Sequence, residues 1–279
     1  MFELFNRYYR VQVDTIVIDK LDIGFKVTKT LTKEPNTLEL VIMNLNPDHR
    51  KALSETKSPV VQLEAGYKDF HGVIFLGDVR NIDSVYEKPD WVTTISSGDG
   101  EKATQFDRIN KSFTKGTSLT VVLKEVASSM STIGIGNVAQ MAVQGKLPGG
   151  AVAFPNGITV SGNSSREMSR LVRSAGLEWS IQDKKFQLLK AGETLLTKAY
   201  VLTPNTGLIG SPTVGYDAKT KKGTLQFKSL LIPDILPGRQ IVVKSAQVTG
   251  RFRIEKCEYD GDTVGQSWYV NGEASKLKI

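Results

Sequence analysis

The 279-residue sequence contains one cysteine, Cys257, and only two histidines, His49 and His71. A lone thiol excludes an internal disulfide and any cysteine-rich zinc site. Neither histidine stands in an HExxH pattern, which removes the familiar helical zinc-protease arrangement. No run of about twenty apolar residues is present, so there is no helical membrane span. The opening MFELFNRYYRVQV breaks its apolar residues with charge and lacks the continuous core of a secretion signal. The chain is therefore expected to be made and kept in a cytoplasm unless an assembly carries it out. Long tracts of one charge sign are missing too. Lys and Arg outnumber Asp and Glu by 36 to 29, but the bases are scattered. That excess permits a phosphate-bearing partner without requiring one, and argues against nucleic-acid binding as the primary role.

What the sequence does have is period-two alternation. RVQVD sets Val11 and Val13 on one side, TLELVIMNL sets Leu38, Leu40 and Ile42, VVQLEAGY sets Val61, Leu63 and Ala65, and DWVTTI sets Trp91, Thr93 and Ile95. Such strings describe strands with one buried face. Turn-like breaks separate them at KEPN (33–36), NPDH (46–49) and EKPD (87–90), and HRKALSE fits one helical turn. The period changes after Gly116. Leu119, Val122, Leu123, Val126 and Met130 recur at helical spacing behind Thr117 or Ser118 as cap. IGIGNVAQMAVQGKLPGGAVAFPNG reads as a short helix followed by a loop or hairpin. NSSREMSRLVRSAGLEW reads as a second helix, with Ser164 and Glu167 at capping-box spacing, a stripe of Met168, Leu171, Val172 and Ala175, and Gly176 as its end. EWSI and KFQLL flank QDKK as a hairpin. Strand character resumes near Lys198 and closes with the pair RFRIEKCEYDG and SWYVNGEASKL.

The expected fold class is therefore β-rich α+β, with two small barrel domains, 1–98 (where a sandwich is the alternative) and 198–279, joined by an α+β coupling region at 99–197. Tests for chemistry find little. SSGDG (96–100) is the most site-like string, yet GDGEKA lacks the spacing of a phosphate loop. Asp99 between two glycines needs several further ligands to hold a metal, so a structural exit from the first barrel is the expectation. No nucleophile-elbow motif supports a Ser-His-Asp site, and Cys257 lies in strand-like alternation. Glu255 with Glu258, or Asp260 with Asp262, would serve glycoside hydrolysis only inside a cleft, and fit a solvated strand face better. No catalytic, metal or cofactor residue is assigned. Two apolar loop-like segments stand out as possible interfaces. LLIPDILPG carries Leu231, Ile232, Ile235 and Leu236, and LTPNTGLIGSPTVG carries Leu208 and Ile209. The first either caps a core or meets a partner.

In this order, FKVTKTLTKEPNTLELVIMNLN, VVQLEAGYKDFHGVIFLGDVRNIDS, DWVTTISSGDGEKATQF, SGNSSREMSRLVRSAGLEWSIQDKKFQLL, TGLIGSPTVG, LQFKSLLIPDILPGRQIVVKS and GRFRIEKCEYDGDTVGQSWY resemble the baseplate hub proteins of bacteriophage tails, Mu-like and late-control type included. The resemblance covers nearly the whole length and implies tube-protein-like barrel domains. It implies a virion structural protein of the tail baseplate, assembled in the host cytoplasm. As a homotrimer it would adapt a sixfold tail tube to a threefold central spike around a channel through which DNA passes transiently and non-specifically. The implied partners are further copies of the chain, the tube or tube-initiator protein, the spike, the tape-measure protein and neighbouring baseplate or wedge proteins. No cell-wall hydrolase and no cofactor is implied. A distal-tail or tube-initiator protein forming a hexameric ring is the alternative, and a carbohydrate-acting enzyme a more distant one.

Overall fold

The computed structural model describes residues 6–138, 153–217 and 222–277. Its elements in chain order are β1 (Arg7–Val13), β2 (Ile16–Ile18), β3 (Ile23–Thr30), β4 (Thr37–Met43), α1 (Pro47–Glu55), β5 (Val60–Tyr67), β6 (Phe70–Glu87) and β7 (Asp90–Gly98). There follow α2 (Glu101–Phe106), β8 (Arg108–Phe113), α3 (Leu119–Ser128), β9 (Ile158–Asn163), α4 (Ser164–Ser174), β10 (Leu177–Gln182) and β11 (Lys185–Lys190). The last set is β12 (Tyr200–Leu202), a 3-10 turn at Pro204–Thr206, β13 (Leu208–Asp217), β14 (Lys222–Leu230), β15 (Gln240–Lys244), β16 (Thr249–Asp262) and β17 (Trp268–Lys276). The chain divides into two compact units, one of residues 1–30, 36–98 and 194–279, the other of 31–35 and 99–193.

The first unit corrects the expectation of two separate small barrels. Its strands form one 13-stranded sheet, ordered β13-β14-β17-β16-β3-β4-β7-β6-β5-β1-β2, with β12 and β15 paired beside β16. Among the described residues no pairing joins β13 to β2, so the sheet does not close. The join between the two ends of the sequence is β16, whose Lys256–Asp262 pairs antiparallel with Thr30–Gly24 of β3. On that same edge β16 holds β15 through Thr249–Arg253, and on its other edge it holds β17. A bulge between Ile254 and Lys256 falls where the partner on that edge changes, and a bulge re-aims a strand at such a point. Alternation in a sequence marks a strand and its buried face, but says nothing about which strand takes each edge.

One core underlies this sheet and draws on both ends of the chain. Trp268, 2% exposed, donates its indole N–H to the Gly66 carbonyl at 2.9 Å and meets Phe25 edge-on at 5.4 Å. Arg7 lies over the same indole and donates to the carbonyls of Asp262 and Gly265, both at 2.6 Å. Burying one such side chain contributes on the order of 3 kcal/mol. Two glycines have a packing role here: Gly261 faces Phe25 and Gly272 faces Phe227 across adjacent strands. A Cβ on either glycine would come within 2.2 Å of the phenyl ring, so the missing side chain is what lets the ring lie on the neighbouring strand. Lys29 continues the inward series Ile23, Phe25, Val27 and is fully buried, with its ammonium donating to the Ile74 carbonyl at 3.1 Å. Helix α1 is capped by Asn46, whose side chain accepts from the Asp48 N–H, with Pro47 at the first helical position.

The second unit carries two two-stranded sheets, β8-β9 and β10-β11, and the helices α2, α3 and α4 around a core of its own. Ser118 caps α3, whose Leu119, Val122, Leu123 and Val126 are buried as the periodicity requires. The cap of α4 is Asn163 instead of Ser164, its side chain accepting from the Arg166 N–H at 3.0 Å. Ser164 is the first helical residue, and its hydroxyl meets that of Ser129 at 2.8 Å. Met168, Leu171 and Val172 face the core, and Gly176 ends the helix at φ 66°. The short helix read in the glycine-containing region falls largely on residues outside those described.

Candidate functional site: the polar face of the sheet

The string that looked most like a site is a structural anchor. Asp99 is fully buried. Its carboxylate accepts from the backbone N–H groups of Asp183 and Lys184 at 2.7 and 2.8 Å. Those two residues form the turn between β10 and β11, and both have left-handed backbone, φ 53° and 57°. Successive positive φ values define the mirror-image turn that suits a two-residue hairpin, and neither residue is a glycine. Gly100, at φ 69°, starts α2, and a Cβ there would strike Ile181 at 2.7 Å.

The other titratable candidates also have structural partners. Cys257 is buried in the core. Glu255 bonds Arg253 at 2.8 Å and Ser275. Glu258 pairs with Lys26 at 3.2 Å. Asp262 accepts from the Val264 and Gly265 N–H groups in the β16–β17 turn. His49 is exposed on α1, while His71 stacks on Tyr8 at 3.9 Å. Among the described residues no group of three or more His, Cys, Asp or Glu is placed to hold a metal ion.

Of the six apolar residues singled out, Leu231, Ile232 and Ile235 are fully buried in the core of the chain, and Leu208 is 6% exposed. Leu236 packs against that core from its margin. The segment crosses the sheet as a strap. The Tyr259 hydroxyl donates to the Ile235 carbonyl at 2.6 Å, and Pro233 lies over Gly72. Tyr67 bonds the backbone of Leu231, and burial pushes its phenol up to about 12. Ile209 is half-buried on β13. Most of LTPNTGLIGSPTVG, expected to be loop-like, belongs to the edge strand β13, which has a register shift between Ile209 and Thr213. An edge strand tolerates Pro212 because its outward N–H needs no partner.

The extended surface left over is the face of the sheet opposite the core. Across it the register aligns Lys228, Asn271, Glu258 and Thr28 in one row, and Gln226, Glu273, Lys256 and Thr30 in the next. A third row runs from Tyr269 through Asp260, Lys26, Glu39 and Ser96 to Asn81. These rows hold three lysines (Lys26, Lys228, Lys256) against four carboxylates (Glu39, Glu258, Asp260, Glu273), although bases are in excess over the chain as a whole. Lys26 has its pKa raised by the hydrogen bond and charge of Glu258, and Lys228 stands 4.1 Å from the centre of the Tyr269 ring. One end of the face dips into an open groove of about 600 Å³, lined by Ile209, Phe227, Lys228, Lys256 and Glu273. The face is broad and of mixed charge, with Lys26 and Lys228 engaged by neighbours on the same sheet. Periodicity indicates which residues share the outward side of each strand, but only register assembles them into rows.

The fold so defined, one large and mainly antiparallel sheet with an α+β unit inserted after β7, is found in solved tail proteins. Neither a protein-family model nor a curated protein sequence matches this chain significantly. Among solved structures, the chain is similar to the 43 kDa tail protein of prophage MuSo2 from Shewanella oneidensis, at 9% identity and TM-score 0.67 over 98% of this chain and 99% of that one. It is similar to a tail protein from Neisseria meningitidis MC58 at 8% identity and TM-score 0.68, over 98% and 97%. A third is the E. coli c3393 protein, a type VI secretion system component with structural similarity to the T4 tail proteins gp27 and gp5. There identity is 10% and the TM-score 0.65, over 96% of this chain and 77% of that one.

Proposed function

We propose that this chain is a structural component of a phage tail or tail-like particle, and within it the baseplate hub. In this reading three copies form a ring that adapts a sixfold tube to a threefold spike and surrounds the channel for DNA. The observation that carries the reading is the polar sheet face. It is broad and registered, and its excess of carboxylates over lysines suits a wall past which a polyanion slides without adhering. The fold shared with tail proteins along nearly the whole of both chains supports the structural role, and the residues that looked reactive in sequence are taken up by packing and turns. In its place in the assembly the chain would meet the tube on one side and the spike on the other.

The test is a structure of the assembled particle with copy numbers resolved. Three copies next to the spike are expected. Six independent copies in a tube ring would overturn the hub assignment and establish the hexameric tube-initiator alternative.

A further inference from the structure

The bases that look scattered along the sequence gather on one helix. The chain has 25 lysines and 11 arginines, yet the 11 residues of α4 carry three arginines and no lysine. Arg166, Arg170 and Arg173 are all exposed. At 3.6 residues per turn they fall within an arc of about 60°, opposite the buried Met168, Leu171 and Val172. Glu167 meets Arg170, whose guanidinium donates Nε–H and Nη2–H to one carboxylate oxygen at 3.0 and 2.6 Å. Arg166 and Arg173 make no ion pair among the described residues. Arg166 stands in the first turn, where a cation opposes the helix dipole, so the helix itself does not call for it.

A large apolar side chain stands at the same end. Phe106, the last residue of α2, is 71% exposed. The Asn163 amide that caps α4 also donates to the carbonyls of Thr104, Gln105 and Asp107, at 3.0, 3.1 and 3.4 Å. Those bonds fix the backbone on either side of Phe106 beside the first turn of α4. Short side chains flank the arginines: Ser169 and Ser174 turn their hydroxyls back onto the carbonyls of Ser165 and Leu171, both at 2.8 Å. An exposed aromatic beside several arginines is the composition of a protein contact.

We propose that this face of α4, with Phe106 at its end, docks an acidic α-helix of a partner protein. The surface goes beyond the ring reading and does not depend on copy number. Charge complementarity sets the chemistry, because a guanidinium takes a carboxylate through two parallel N–H bonds and an ammonium does not. Spacing sets the shape. Steps of four and three residues put the arginines about 6 and 4.5 Å apart along the axis, and carboxylates at the same steps on a second helix match them. An extended strand offers same-side residues at intervals of about 6.6 Å and is out of step by the third. Nucleic acid fits less well. Three cations, one of them shared with Glu167, displace too few counterions for more than weak binding.

The experiment titrates the full chain with three probes. The first is an alanine-based helical peptide with glutamates at steps of four and three residues and a leucine on each side of them. The second has glutamine at the same places, and the third is a short DNA duplex of mixed sequence. Arginine Nε–H resonances report contact, and fluorescence anisotropy of labelled probes reports affinity. The glutamate peptide should shift Arg166, Arg170 and Arg173 and bind at least about tenfold more tightly than the glutamine peptide, the gain of three exposed charge pairs. Arg166→Gln with Arg173→Gln should remove that preference, and Arg166→Lys with Arg173→Lys should restore only part of it. Phe106→Ser should weaken both peptides. All these side chains are exposed, so each variant should melt near wild type. Equal binding of the two peptides, or binding of neither, overturns the proposal. Duplex DNA that shifts the same resonances at lower concentration than the glutamate peptide also overturns it and makes the stripe a phosphate surface.

Discussion

Replacing Asp99 with alanine tests the reading of the SSGDG string most directly. The carboxylate is fully buried and holds the two turn N–H groups of Asp183 and Lys184 at 2.7 and 2.8 Å. A hydrogen bond to a charged acceptor contributes about 1.5–3 kcal/mol, and a donor left without a partner costs about 1–3 kcal/mol. The turn is only partly buried, so water recovers some of the loss. Asp99→Ala should therefore destabilise the second unit by about 2–4 kcal/mol. Asp99→Asn, which keeps one acceptor oxygen but turns an amide toward the other N–H, should fall between alanine and wild type. Urea unfolding followed through Trp179, the tryptophan of this unit, reads the change. Amide exchange of residues 177–190 should accelerate in parallel. If Asp99→Ala unfolds within about 0.5 kcal/mol of wild type, the anchoring role is wrong. If added divalent metal stabilises wild type but not the alanine variant, the residue is a ligand instead.

The other predictions concern Tyr67 and two glycines, one in each unit. Tyr67 has its phenol raised to about 12 by burial. Stability from this group is thus fully present below the unfolded value near 10 and is lost as pH rises through the folded value, a difference of about 3 kcal/mol. Unfolding titrations from pH 9 to 12 should show that loss, and Tyr67→Phe should flatten it while lowering neutral-pH stability by its missing bond to Leu231. Gly272→Val places a side chain where the Phe227 ring lies and should cost about 1–3 kcal/mol, whereas Gly192→Ala, with open space around it but φ 81°, should cost only the backbone strain of about 1 kcal/mol. Thermal melts of the two variants separate packing from backbone conformation.

Much of the local structure was legible in the sequence. The strand strings, the α3 stripe, the glycine ending α4 and the QDKK hairpin all follow from periodicity and turn chemistry, because each depends on neighbours in the chain. The cap of α4 was misplaced by one residue because asparagine and serine stand side by side at 163 and 164, and both cap well. The sheet was not legible. Which edge of β16 meets β3, or why Gly272 must be small, depends on residues far away in sequence. β13 was read as a loop because Gly210 and Pro212 are turn formers, and only its place at an edge makes them acceptable. Lys29 gives a related lesson: alternation with Phe25 and Val27 puts it on the inward side, but the Ile74 carbonyl that accepts from its ammonium is far away in sequence. The candidate site was divided in the same way: each strand announced its outward residues, and the rows they form came only with register.

The long strand β16 has a consequence for how the protein is made. As the chain leaves the ribosome, β3 is synthesised more than two hundred residues before the strand that covers its edge. Until then the nascent first third carries a bare apolar core and an open strand edge, which invite chaperones or premature self-association. A product that terminates anywhere in the second unit can never complete that core. Synthesis of the last strands is therefore the step on which the core of the first unit waits.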